Sequence, residues 1–165
     1  VSAASRVGQG FDLHRLVSGR PLKIGGVAVD SPVGAEAHSD GDVVLHALID
    51  ALLGAVGLDD IGELFPPDDA TYKGADSLGL LEKALCKVKE RTPGFRVENI
   101  DITILLEKPK LGPYKPVIRE RIATALGLEP GRVAVKAKTM EGLGPIGQQE
   151  AIAAMVTLLI SLPAS

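Results

Sequence analysis

The sequence predicts an α+β fold, a mixed β-sheet with three helices packed on one face. Two periodicities and one absence carry the prediction. Val97–Leu106 alternates like a strand, with Ile100, Ile102, Ile104 and Leu106 on one side and Asp101 and Thr103 on the other. Elsewhere apolar residues recur at helical spacing, most clearly at Val44, Leu48, Ala51, Leu52 and Ala55. No repeat, linker or break in composition interrupts the 165 residues, so they are read as one domain, with residues 1–6 as a flexible N-terminal extension.

In chain order, Val7–His14 is the first strand, where Gly8 and Gly10 relieve crowding beside Phe11 and Asp12. Leu22–Val29 is extended and broken at Gly25-Gly26, as in a hairpin, and Val33–Ser39 is read as loop. The first helix follows, with Ser39 or Asp40 as its cap, Asp42 as a capping-box acid and Gly57 as its stop. Asp42, His46 and Asp50 share a more polar face of it, from which His46 can leave toward a site while an aspartate holds it. Leu58–Tyr72 is a loop rich in Gly, Pro and Asp, anchored by Leu64 and Phe65. Asp76–Arg91 is the second helix, stopped by Thr92-Pro93-Gly94, and Ile118, Ile122 and Leu126 mark the third. Arg132–Lys138 alternates again as a strand. Ala151–Leu162 is a nearly continuous apolar run that by local pattern suits a strand or a helix. The order β-(β)-α-α-β-α-β-β makes an α+β layer fold, expected to have a ferredoxin-like layer architecture.

Composition narrows the function. With two Tyr, three Phe and no Trp there is little surface for stacking bases, and a net charge of -3 argues against a nucleic-acid partner. The single Cys86 permits neither a disulfide framework nor a thiolate metal cluster. No apolar run reaches the ~18 residues of a membrane span.

The chemistry concentrates in the histidines. Asp12-x-His14, if extended, puts both side chains on one strand face; with His46 brought against it, two nitrogens and an oxygen would suit Zn²⁺ and leave a coordination position open. The same spacing also fits an ordinary turn aspartate, a surface histidine and a hydrogen-bonded helix histidine, and spacing alone does not choose. Lys110, Lys136 and Lys138 suit phosphate or simply solvated strand ends. Gly142, Gly144 and Gly147 lack the pattern of a phosphate-binding loop. Glu141 suits either a hard divalent ion or a plain loop.

Longer motifs add a resemblance. Gly10-Phe11-Asp12-Leu13-His14, Ala37-His38-Ser39-Asp40-Gly41-Asp42-Val43 through His46-Ala47, and Asp50-Ala51-Leu52-Leu53-Gly54 occur in order. Asp60-Ile61-Gly62-Glu63-Leu64-Phe65-Pro66, Lys73-Gly74-Ala75-Asp76-Ser77, Glu107-Lys108-Pro109-Lys110-Leu111 and Val135-Lys136-Ala137-Lys138-Thr139-Met140-Glu141 follow. From about Val7 to its end the chain resembles the 2-C-methyl-D-erythritol 2,4-cyclodiphosphate synthase family.

That resemblance implies a metal-dependent phosphorus–oxygen lyase of the non-mevalonate isoprenoid pathway. It implies that the 2-phosphate of 4-diphosphocytidyl-2-C-methyl-D-erythritol 2-phosphate attacks the β-phosphorus, releasing CMP. It implies Zn²⁺ on Asp12, His14 and His46, and Mg²⁺ or Mn²⁺ at the diphosphate with Glu141. His38 and Ser39 are then substrate-phosphate contacts, Thr139 holds the diphosphate, and Asp60, Ile61 and Gly62 meet the methylerythritol. Leu106, Pro109, Lys110, Leu111, Ala137 and Lys138 surround the cytidine. The resemblance further implies a homotrimer whose sheets face a central cavity, with active sites between subunits, and on that ground Ala151–Leu162 is expected as a strand. It implies the cytoplasm of a bacterium, or the plastid stroma or apicoplast of a plastid-bearing cell. Three departures stand out. Pro67 takes a position where some members have Asp, and Pro145 and Gln148 replace a Phe and an Arg at the cavity end. Gln148 offers no fixed charge to an isoprenoid diphosphate.

Overall fold

The computed structural model describes residues 4–66 and 68–163, so Pro67 lies outside the described residues. A five-stranded sheet forms one layer. Its long first strand β1 (Ser5–Ser18) pairs antiparallel with β7 (Ala151–Ser161), from Ser5 opposite Ser161 to Arg15 opposite Ala151. β7 pairs antiparallel with β5 (Arg96–Leu105), and β5 runs parallel to β6 (Val133–Lys138). β4 (Val33–Ala35) pairs with the end of β1, giving the order β4-β1-β7-β5-β6. The apolar run near the C-terminus is thus a strand held on both edges, which suits its β-branched and small residues.

A separate hairpin, β2 (Leu22–Ile24) and β3 (Val27–Val29), turns at Gly25-Gly26. Both glycines have positive φ, 60 and 75, which a two-residue hairpin turn of matching twist requires.

Three long helices cover one sheet face: α1 (Val43–Ala55), α3 (Ser77–Arg91) and α4 (Lys115–Leu126). Leu48, Leu52, Leu81, Val88, Ile118 and Ile122 pack in one core with Ile100, Ile102, Ile104, Val156 and Leu158. Burying such a side chain contributes about 1.5–3 kcal/mol, so this face dominates the stability.

Several expectations change. Two one-turn helices, α2 (Ile61–Leu64) and α5 (Gly144–Gly147), form inside segments read as loops. Val33–Ala35 is strand, because β1 extends past His14 and offers it an edge. Ser5 and Arg6, expected in a flexible extension, are instead paired with β7; residues 1–3 of that expectation lie outside the described residues. The helix cap is Asp42, not Ser39 or Asp40. The connectivity is not the β-α-β-β-α-β of a ferredoxin-like chain: α4 bridges β5 to β6, and a parallel pair requires such a crossover. No helix among the described residues is long and apolar enough to cross a membrane.

Candidate metal centre and active site

The site begins with a close approach. On the helix-facing side of β1 lie Gly8, Gly10, Asp12, His14 and Leu16, in strict alternation. At Gly8 an added Cβ would fall 1.8 Å from the Ala51 carbonyl oxygen, and at Gly10 1.9 Å from that of Ala47. Only glycine lets the α1 backbone ride this close to the strand. The contact drops His46, one residue before Ala47, beside the next two side chains of the same row.

There the donors converge. The Asp12 Oδ2 lies 3.0 Å from His14 Nε2 and 3.0 Å from His46 Nδ1, and the two nitrogens are 3.2 Å apart. One ligand atom from each residue falls within 4.8 Å of the other two. Burial opposes the charge on Asp12, but hydrogen bonds to His14 and His46 outweigh it and hold the carboxyl well below the usual range. Burial likewise pulls His46 down, and Asp12 more than compensates, so its pKa is raised. Two imidazole nitrogens facing each other at this separation cannot both carry a proton between them. A carboxylate and two imidazoles are a borderline donor set, and the cluster fits a divalent ion such as zinc.

Beside this cluster, a cavity of about 190 Å³ is lined by His38, Ser39, His46, Ile61, Gly62 and Phe65, among others. Five of the expected site residues therefore meet there. Asp60 sits apart: its Oδ1 caps α2, accepting from the N–H groups of Gly62 (2.9 Å) and Glu63 (3.2 Å). The loop is tethered to α1 by Asp50, which accepts from Ile61 N–H at 2.8 Å.

The remaining residues form a second cavity of about 290 Å³, lined by Leu106, Pro109, Lys110, Leu111, Ala137, Lys138 and Thr139. Leu106 N–H donates to the Lys138 carbonyl at 3.0 Å, and the Thr139 hydroxyl to Glu141 Oε1 at 2.8 Å. Register relates the two cavities. Asp12 stands opposite Ala154, Ala154 opposite Ile104, and Ile104 opposite Ala137. Three strand spacings separate Asp12 from Ala137, roughly 14 Å. Within one chain, Glu141 and the second cavity are not brought to the Asp12–His14–His46 cluster. A larger cavity, about 630 Å³, opens near Leu85, Arg96, Leu126 and Arg132 and contains none of the expected residues.

The residues that sequence reasoning overlooked stand behind His46. Neither Asp42 nor Asp50 holds its ring. Asp42 is spent on the helix start and on Gly25 and Gly26, whose N–H groups it accepts at 2.8 and 2.6 Å. The ring instead meets Ser77 and Ser39, with Nε2 3.0 and 3.1 Å from their hydroxyls. Ser77 lies in a quoted motif, but nothing local says that the start of α3 reaches α1.

Known proteins give the same answer. The YgbB family model matches residues 5–161. The chain is 54% identical to the 2-C-methyl-D-erythritol 2,4-cyclodiphosphate synthase of Symbiobacterium thermophilum over 155 residues, covering 94% of this chain and 98% of that one. It superposes on the bifunctional IspDF of Campylobacter jejuni with a TM-score of 0.92 at 43% identity, covering 98% of this chain and 43% of that longer one. It superposes on the CDP complex of IspF from Plasmodium falciparum with a TM-score of 0.84 at 31% identity, covering 99% and 100%. With the metal-ligand cluster, the pattern match and these relatives in agreement, the chain belongs to the YgbB family of 2-C-methyl-D-erythritol 2,4-cyclodiphosphate synthases.

Proposed function

We propose that Asp12, His14 and His46 hold Zn²⁺ and that the second cavity receives the cytidine end of the substrate, in the reaction that family membership assigns. The chain is an enzyme of isoprenoid biosynthesis, a lyase that cyclises 4-diphosphocytidyl-2-C-methyl-D-erythritol 2-phosphate to the 2,4-cyclodiphosphate and releases CMP. The convergence of the three donor atoms beside the cavity of His38 and Ser39 is the observation that carries the site reading.

When bound, Zn²⁺ and a second ion, Mg²⁺ or Mn²⁺ beside Glu141, supply positive charge that offsets repulsion between phosphates. The chain's residues do the positioning. His38 and the Ser39 hydroxyl donate to phosphate oxygens. Asp60, Ile61 and Gly62 bind the methylerythritol, with Asp60 retaining one oxygen beyond its cap. Thr139 orients the diphosphate, while Leu106, Pro109, Leu111 and Ala137 enclose the base, and Lys110 and Lys138 add charge at its phosphates. No protein nucleophile is required, because the substrate carries its own. Holding that phosphate near its target replaces a bimolecular step with an intramolecular one. That the P. falciparum relative was solved as a CDP complex supports a cytidine nucleotide as a ligand of this fold.

The reading includes a homotrimer of this single domain, with each site shared between neighbours. The open sheet face supports it: Val7, Phe11, Leu13 and Met155 remain 65%, 55%, 49% and 38% exposed. A row of apolar side chains across two paired strands calls for cover. The roughly 14 Å between the two half-sites supports it too. The test is incubation of zinc-loaded protein with substrate and Mg²⁺. Equimolar CMP and cyclic product is the expected result, and zinc-loaded protein that releases no CMP would overturn the reading.

A further inference from the structure

We propose that Ser77 and Asp40, backed by Lys23, are positioning residues that orient the His46 ring and keep Nε2 protonated, so that Nδ1 is the nitrogen turned to the metal centre. The proposal rests on the reading of Asp12, His14 and His46 as that centre, but its first consequence concerns the imidazole alone.

The argument is a proton inventory. The Ser77 side chain is fully buried and its hydroxyl lies between His46 Nε2 at 3.0 Å and Asp40 Oδ1, to which it donates. Asp40 is surrounded by donors: Ser77 N–H and Lys23 Nζ each reach its Oδ2 at 3.2 Å, and Asp42 N–H reaches Oδ1 at 3.3 Å. A carboxylate among such donors accepts only. The single Ser77 proton is therefore committed to Asp40, and Ser77 can meet Nε2 only by accepting. Nε2 must then carry a proton, so Nδ1, whose own proton would go to Asp12 Oδ2 at 3.0 Å, is the nitrogen left to give its lone pair when a metal replaces that proton. The opposite chain, a protonated Asp40 donating to Ser77 and Ser77 to Nε2, would set a neutral acid beside the Lys23 ammonium and forfeit that attraction.

The inventory has a second consequence. Because Nε2 donates, Ser39 Oγ at 3.1 Å receives rather than gives, as it also does from Gly41 N–H at 3.3 Å. Its own proton stays free for the cavity it lines. The scaffold holds the relay in place: Lys23 rides on the hairpin that Asp42 pins to α1, while Gly74 N–H and Asp40 N–H bond across to the carbonyls of His38 and Ala75. Removing such an outer partner of a metal-bound histidine typically costs 10- to 100-fold in affinity.

The test combines ring ¹⁵N NMR with zinc competition. Metal-free wild-type protein at pH 8 is expected to show His46 with its Nε2 protonated. Ser77→Ala is expected to mix the tautomers and weaken zinc binding by about 10- to 100-fold at unchanged helix content. Asp40→Asn serves if Ser77→Ala fails to fold, and is expected to mix the tautomers as well. An Nδ1–H tautomer in the wild type, or unchanged zinc affinity in folded Ser77→Ala, would overturn the proposal. If the wild type binds no zinc, the metal reading fails, and the wild-type tautomer alone decides this one.

Discussion

The two half-sites are built in opposite ways. Around Asp12, His14 and His46, each of the three residues sits on regular structure, α1 touches β1 through glycine, and the outward side of His46 is bonded to the buried Ser77. Around Thr139 and Glu141 the cavity is made by ends of strands and turns, with Lys110, Lys138 and Glu141 exposed. The first is complete in one chain. The second offers backbone groups and charges to something arriving from outside. A metal tolerates little displacement of its donors, whereas a nucleotide brings its own shape and can be gripped by loops on a rigid edge.

Glycine substitution should separate the regions most sharply. Gly10→Ala places a methyl against the Ala47 carbonyl and must lift α1, at a cost of about 3 kcal/mol or more and with loss of zinc binding. Gly112→Ala, at the rim of the second cavity, meets nothing within 4 Å and should shift stability by no more than about 0.5 kcal/mol. Urea unfolding of both variants checks the contrast.

Next in size are the functional groups. Thr139→Ala should slow CMP release by about 10- to 100-fold, the scale of a misplaced reacting group, while zinc content stays unchanged. His14→Ala should lose zinc and activity together. Metal analysis beside a kinetic assay distinguishes the two patterns.

A subtler contrast comes from pH. Burial disfavours the charge on Asp40, but hydrogen bonds from Ser77 and Lys23 outweigh it and lower its pKa. A lowered carboxyl contributes stability that is present above its unfolded value, near 3.9, and is lost as pH falls through the folded value. Asp40→Asn should therefore flatten the acid limb of the stability curve below about pH 4. Thr139→Ala, which removes no titratable group, is the comparison variant in the same unfolding series.

The same contrast explains how much the sequence disclosed. Asp12 and His14 were legible because strand alternation is local, and α1 because its apolar stripe is. The capping residue was not, since Asp42 wins over Ser39 and Asp40 by also receiving Gly25 and Gly26 from a distant hairpin. Ser77 was hidden for the same reason: its role exists only once α3 lies against α1. The run Ala151–Leu162 was ambiguous locally, and pairing along both edges makes Ala151–Ser161 strand. Val33–Ala35 is too short to announce itself and forms because β1 continues beneath it. Local periodicity shows the elements that carry ligands, while long-range contacts decide which partners hold those ligands.

The central claim, that one half-site is complete in a chain and the other serves a neighbour, is tested most directly by complementation. His46→Ala chains lack the metal centre, and Thr139→Ala/Glu141→Ala chains lack the second half-site. In the proposed trimer, co-expression in equal amounts gives mixed assemblies in which about a quarter of sites pair an intact half from each chain. Recovery of about a quarter of wild-type CMP release, from two parents that are nearly inactive alone, is the expected result. Mixed trimers that form and stay as inactive as their parents would contradict the claim.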